Sequence, residues 1–458
     1  LDLYAALFDD MVAWDPGLRK SLDRDLLRLR ETPINQIETF LMIDLVKAGK
    51  VVDKALSSGH LSVSDLPNSM GRIRNGYRSL FRGLFLEVFD EWGRLRSGAD
   101  PTCVAFLRQV LYLAKKVRKE CSDASILTEV RDFSRIDASL RQPTLSWDAS
   151  TGFLPGSGVL PRMSYRDSYR SQPDLVSDRD VCPEPLLLVL DRTCGILFSK
   201  FPVFDWREVR PKHGPGAVAD AKSGADKYQF PTWPAKLEEV FPSNYFARHR
   251  EDLAADGVVL RDEEVPSRLI AVPKTLSGPR LIASEPTSHQ FLQLGLMSWM
   301  RDNMPRIFGN CINFLDQTPS RRLCLEASLY GDLATVDLSS ASDRLSCWTV
   351  ERAFQYNPGL LQALWATRTR TLRNCVANAK GERIGEDYQI LLHKFAPMGS
   401  GVTFPVQSLI YTAASIAVVL YCNGTLRPKY RDVQEAARKV RVFGDDIILP
   451  SYAVPELA

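Results

Sequence analysis

The chain has 458 residues, 45% of them hydrophobic and 25% charged, with a formal net charge of +3. It is long enough for two or three subdomains around sizeable cores, and its composition is that of an ordinary soluble globular protein. Its nine cysteines form no C-x-x-C pair, and its five histidines form no H-E-x-x-H, which excludes the usual zinc and histidine-based hydrolase patterns and reads as reduced thiols in a cytosolic setting.

Residues 1 to about 140 read as helical, because "PINQIETFLMIDLVKAGKVVDKAL", "YRSLFRGLFLEVFDEWGRL" and "CVAFLRQVLYLAKKVRKE" carry apolar residues at helical spacing. The N-terminus carries Asp2, Asp9 and Asp10 rather than a basic run before an apolar one, so no signal peptide is visible. The first residue is Leu rather than Met, as expected of a fragment or a processed product. Basic clusters such as "KKVRK" (115–119) read as solvated faces. From 142 to 182 Pro, Gly, Ser and Tyr dominate, which predicts a loop or extended connection.

Two strand-like runs follow in "RLIAVPKTLSGPRLIASEP" (268–286). Arg268, Lys274 and Arg280 there could converge on a polyphosphate, Arg as a planar fork and Lys as a point charge. No G-x-x-x-x-G-K-[ST] occurs, so a P-loop is not the explanation. Leu333 to Leu338 read as a buried strand with Asp337 near its end, and Ser342 as the N-cap of the next helix. In "APMGSGVTFPVQSLIYTAAS" (396–415), Gly399 and Gly401 permit backbone closed to other residues, and Ser400 and Thr403 offer hydroxyls at a helix entrance suited to an anion or a sugar. The apolar run 406–422 contains Gln407 and several hydroxyls and is short for a membrane span; it predicts a buried helix. Val440 to Phe443 and Ile447 to Leu449 read as a hairpin turning at Gly444 and Asp445.

That hairpin puts Asp445 and Asp446 at an otherwise apolar tip. Gly-Asp is good turn chemistry, and a solvated hairpin tip tolerates two acids; a metal site needs a third carboxylate from elsewhere in the chain. Placed beside Asp337, three carboxylates about 4 Å apart would repel by about 4 kcal/mol per pair at an effective dielectric of about 20. Divalent cations remove that cost, and Mg²⁺ favours a few carboxylates plus substrate phosphates.

"VPKTLSGPRLIASEP", "TVDLSSASD", "MGSGVTF" and "FGDD", in that order, resemble the basic fingers motif and palm motifs A, B and C of viral RNA-dependent RNA polymerases. The resemblance is greatest to the replicase subunit of single-stranded RNA bacteriophages, the levivirus group. It implies an α+β right-hand polymerase: a helical N-terminal region over 1–150, fingers over 151–330, and a palm over 331–458 with a small antiparallel sheet and a fingers insertion at about 356–395. The thumb would be absent, since the chain ends twelve residues after Asp446, and the chain alone would copy RNA poorly or not at all.

The resemblance further implies two Mg²⁺ ions, with Mn²⁺ as a substitute, held by Asp337, Asp445 and Asp446 with the Leu338 carbonyl. Lys274, Arg280 and Arg268 would neutralise the triphosphate; Gly399, Ser400 and Thr403 would lie near the templating base and incoming nucleotide. Ser342, followed by Asp343, stands where a reverse transcriptase carries a bulky aromatic gate, and small polar residues there leave room for a 2′-hydroxyl and can hydrogen-bond it. Gln407 stands where many relatives outside the phage group carry Asn. The implied partners are RNA template, nascent RNA and ribonucleoside triphosphates, with bacterial elongation factors Tu and Ts as host proteins and the cytoplasm of an infected bacterium as the location; no membrane is implied. The competing expectations are a reverse transcriptase-like polymerase and a catalytically inactive RNA-binding palm scaffold.

Overall fold

The computed structural model describes all residues except 75, 156–158, 167–181, 222–223, 225, 248–258 and 458. The connection expected over 142–182 therefore lies partly outside the described residues. The chain divides into two compact units: residues 1–129 with 271–280 and 378–381, and residues 130–270 with 281–377 and 382–458.

The first unit is helical, as the apolar spacing predicts. Helices α1 (Asp2–Trp14), α2 (Arg19–Glu31), α3 (Leu45–Ser58), α4 (Arg82–Val88) and α5 (Pro101–Tyr112) surround one apolar core that includes Phe8, Leu22, Phe85 and Leu107. Asp100 caps α5 by accepting from the Thr102 amide, with Pro101 in the first turn where no N–H is needed. Helix α6 (Asp123–Ala138) begins in this unit and ends in the second.

The second unit is built on α12 (Thr403–Cys422), which packs along α7 (Glu184–Phe198). The 20-residue α12 is long and apolar enough to cross a membrane, yet 83% of its apolar window is buried inside the unit, which makes it a core helix. Pro405 is tolerated because it sits in the first turn, among amides with no intrahelical partner.

Two sheets matter for the site. One has four strands in the order β2 (Gly278–Ser284), β1 (Ser267–Thr275), β4 (Thr371–Asn374), β5 (Gln389–Leu391); β1 runs parallel to β4, and β5 antiparallel to it. Helices α8 (Thr287–Phe308) and α9 (Thr318–Tyr330) lie between β2 and the next strand. The other sheet has three antiparallel strands in the order β6 (Arg441–Phe443), β7 (Asp446–Pro450), β3 (Leu333–Asp337). Helices α10 (Cys347–Phe354), α11 (Pro358–Thr367) and α13 (Tyr430–Ala437) also belong to the unit, together with shorter helices and a separate two-stranded sheet. The architecture is thus mixed α+β, with long helices and small sheets.

Two sequence expectations need correction. Strand β3 is half-buried to exposed rather than buried, because it forms the edge of its sheet. The helix expected from an N-cap at Ser342 begins at Cys347 instead. Ser346 caps it, its hydroxyl accepting from the Thr349 amide at 3.2 Å, while residues 339–344 form turns. Ser340 there adopts a left-handed φ of 53°, which ends the strand and precludes a helix start.

Helix α10 carries the unit's most exacting polar contact. Glu351 is fully buried and accepts from the Thr144 amide (2.7 Å), the Leu145 amide (3.0 Å) and the Trp147 indole N–H (3.0 Å), beside the buried Arg352. Removing the carboxylate orphans three donors and weakens the compensation of a buried cation. Glu351→Ala is expected to cost about 3–5 kcal/mol. Denaturant unfolding measures this; a loss under about 1 kcal/mol, the scale of a surface pair, would contradict it.

Candidate active site

The site is assembled by strand register. Residue Asp446, the first of β7, pairs directly with Asp337, the last of β3, and with Phe443 of β6. Between Phe443 and Asp446 the hairpin turns on two residues only, Gly444 and Asp445. Gly444 takes φ of 68°, the positive value that a two-residue hairpin turn requires at its first position. Its freedom from a side chain is doubly needed. A Cβ there would meet the Phe404 ring at 2.5 Å, with the Gln407 amide nitrogen at 3.5 Å. The sheet therefore places Asp337, Asp445 and Asp446 at one end of its strands, all three exposed.

These acids are coupled electrostatically. Partial burial, then the charges of Asp445 and Asp337, hold the Asp446 carboxyl above its ordinary pKa. Burial chiefly, and secondarily the Asp445 charge, raise the Tyr411 phenol, whose hydroxyl donates to the Ala341 carbonyl at 2.8 Å. Like charges directly opposite on neighbouring strands are destabilising, so the fold maintains a local cost at this end of the sheet. The donors are carboxylate oxygens, which suit a hard divalent cation that keeps several waters or phosphate oxygens in its shell. Among the described residues, no three His, Cys, Asp or Glu side chains already converge as a ligand cluster. The fit of a cation to this end of the sheet thus rests on the opposed register and the mutual repulsion. Leu338 follows directly, half-buried against the apolar core.

Helix α12 braces the turn. The Ser408 hydroxyl accepts from the Gly444 amide at 3.0 Å and donates to the Phe404 carbonyl at 2.8 Å. Phe404 packs edge-on against Phe443, with Phe314 beside both. Gln407 is buried, and Thr403, the first residue of α12, donates to the Pro397 carbonyl at 2.9 Å.

The glycine-rich loop before α12 is fixed to its neighbours. Gly399 has φ of 117°, and a Cβ there would fall 2.0 Å from the Ala283 carbonyl oxygen, while the Ala283 amide donates to the Met398 carbonyl at 2.7 Å. The Gly401 amide donates to Gln293 Oε1 at 3.1 Å. Ser400 is buried, and its hydroxyl has no hydrogen-bond partner among the described residues.

Of the other predicted residues, Ser342 is buried, and Asp343 is half-buried with one carboxylate oxygen 2.9 Å from Lys394 Nζ. Arg268 is exposed on β1 opposite Arg373 of β4. Lys274 and Arg280 are exposed on the tip of the β1–β2 hairpin, which groups with the first compact unit. Sequence reasoning missed Phe404, Ser408, Tyr411 and Lys394. The first three were legible in principle as one face of α12, at intervals of three and four residues; Lys394 carried no such signal.

Residues 245–458 match the family described as RNA replicase, beta-chain. The RNA-directed RNA polymerase subunit beta of Escherichia virus Qbeta is 35% identical over 193 residues, covering 42% of this chain and 28% of that protein. Its counterpart in Enterobacteria phage SP is 33% identical over 205 residues, covering 44% and 31%. The beta chain of Escherichia phage MS2 is 30% identical over 193 residues, covering 42% and 30%. The chain spans less than a third of the length of the curated relatives it matches. Through residues 245–458 in the family match, and over about 42% of its length in the Qbeta comparison, this chain shows distant homology to the RNA replicase beta chains of leviviral phages.

Proposed function

We propose that this chain carries the palm of an RNA-directed RNA polymerase that joins ribonucleotides on an RNA template in the cytoplasm of a bacterial host. The observation that carries the reading is the register that opposes Asp446 to Asp337, with Asp445 in the intervening turn. Homology to phage RNA-directed RNA polymerase subunits supports it.

In this reading Asp337, Asp445 and Asp446, with the Leu338 carbonyl, hold two Mg²⁺ ions. Bound there, the metal supplies Lewis acidity at the α-phosphate and at the attacking 3′-hydroxyl. The remaining work belongs to the chain. Ser408 and Phe404 hold the Gly444 turn and so keep the two adjacent carboxylates at the tip. Gly399 allows the loop before α12 to lie against the Ala283 backbone, with the Ser400 hydroxyl available to a nucleotide. Thr403 and Gln407 lie on the first turns of α12, whose N-terminal end favours negative charge. Arg268 contributes to neutralising the triphosphate, and Ser342 and Asp343 face the ribose.

The absence of a bulky residue at Ser342 sets the sugar. On an RNA template with Mg²⁺ or Mn²⁺, incorporation of NTPs is expected to exceed that of dNTPs by roughly 10–100-fold, the scale of one or two hydrogen bonds to the 2′-hydroxyl. Parallel single-nucleotide extension assays measure the ratio. A preference for dNTPs would replace this reading with a reverse transcriptase.

A further inference from the structure

Lys394 is a cation with no exposure. Its side chain is 0% exposed, and its ammonium lies 2.9 Å from Asp343 Oδ1 and 3.3 Å from the centre of the Phe133 ring. A buried ammonium is costly unless paired, so the pair with Asp343 is required by the burial. Burial lowers the Lys394 pKa, while the Asp343 charge opposes that shift.

The stretch of chain that carries the lysine is held on both sides. The Lys394 amide donates to Asp137 Oδ1 at 3.0 Å, and the His393 amide donates to Asp137 Oδ2 at 3.1 Å. Asp137, on α6, is itself buried. On its other side, residues 393–395 pair with the chain just after Asp343: the Cys347 amide donates to the His393 carbonyl at 3.3 Å, and the Phe395 amide to the Leu345 carbonyl at 2.7 Å. Two independent anchors thus fix the backbone at Lys394, full burial confines its side chain, and the ammonium holds one oxygen of Asp343. The second oxygen, Oδ2, has no protein donor among the described residues, and the side chain keeps 26% exposure.

We propose that Lys394 is a positioning residue for sugar selection: it holds Asp343 by Oδ1 so that Oδ2 is presented to the ribose 2′-hydroxyl of an incoming nucleotide. The inference rests on the reading above that Asp343 faces the ribose. A pair that merely compensated the buried ammonium would affect folding and leave discrimination between sugars untouched.

The test is equilibrium competition on the purified chain with Mg²⁺. ATP and 2′-dATP each displace a fluorescent ATP labelled at the γ-phosphate, and the ratio of their affinities is read for the unsubstituted chain, Lys394→Met, Asp343→Asn and the double variant. The preference for ATP is expected to fall about tenfold in each single variant, the worth of one hydrogen bond to a charged group. The double variant is expected to fall no further, as for two residues acting through one contact. Thermal melting reports on folding. An undiminished preference in folded Lys394→Met overturns the proposal. So does an undiminished preference in Asp343→Asn, whose substitution at a partly exposed carboxylate decides the matter even where Lys394→Met does not fold. Failure of the unsubstituted chain to bind either nucleotide overturns the nucleotide site itself, and this inference with it.

Discussion

Asp337→Asn is expected to abolish ribonucleotide incorporation, by roughly 10³-fold or more, in any form of the protein that copies RNA. The scale follows from the several kcal/mol of charge stabilisation that a correctly held metal supplies, at about 1.4 kcal/mol per factor of ten. The same substitution is expected to stabilise the fold in EDTA. Asp337 stands directly opposite Asp446, and after partial burial the charges of Asp445 and Asp337 push the Asp446 carboxyl upward. Removing a like charge from a cross-strand pair relieves about 0.2–1 kcal/mol. In a unit of this size that raises the melting temperature by roughly 1–3 °C. Opposite signs for activity and stability distinguish a functional cluster from a structural one. A variant that loses activity because it unfolds, or one that keeps synthesising RNA, would contradict the assignment.

Gly399→Ala is expected to have the second largest effect. Two independent costs add at this position. A non-glycine residue at φ of 117° is strained by about 1–3 kcal/mol. Its Cβ would also lie 2.0 Å from the Ala283 carbonyl oxygen, a backbone atom that cannot rotate away. The Ala283 amide is tied to Met398 in the same loop, so relief requires the loop to shift as a whole. A displacement of about 1 Å near reacting groups costs on the order of 10²-fold in rate. The expected result is a fall of that size in incorporation together with a raised KM for NTPs. Kinetics at saturating and limiting NTP measure both. Unchanged kinetics would show that the loop does not touch the nucleotide.

What could be read from the sequence follows from how local the determining physics is. The hairpin around Gly444 was legible because its turn chemistry and its two apolar arms are contiguous, and the strands run Arg441–Phe443 and Asp446–Pro450. The α12 core helix was legible because a long run without glycine or internal charge has few other places to go. Strand β3 was found, but its exposure was not, since five apolar and polar residues cannot reveal whether the neighbouring edge is covered. The start of α10 was misplaced by four residues, because Ser342 and Ser346 both have capping chemistry; only the left-handed Ser340 decides between them. The grouping of Lys274 and Arg280 with the first unit was hidden because β1 runs without interruption from Ser267 to Thr275 while the compact units change between Ile270 and Ala271. The burial of Lys394 and Glu351 was equally hidden. Charged residues are mostly exposed, and their partners Asp343, Asp137, Thr144 and Trp147 are brought to them by packing rather than by spacing.

The account turns on cation binding at the opposed carboxylates, and Mn²⁺ titration of the purified chain, read by the electron paramagnetic resonance of the free ion, tests it most directly. Saturable binding is predicted for the unsubstituted chain, competed by Mg²⁺ and weakened at least about tenfold by Asp337→Asn and by Asp445→Asn, roughly the worth of one charge-assisted contact. No binding, or equal affinity in both variants with the fold intact, would contradict it.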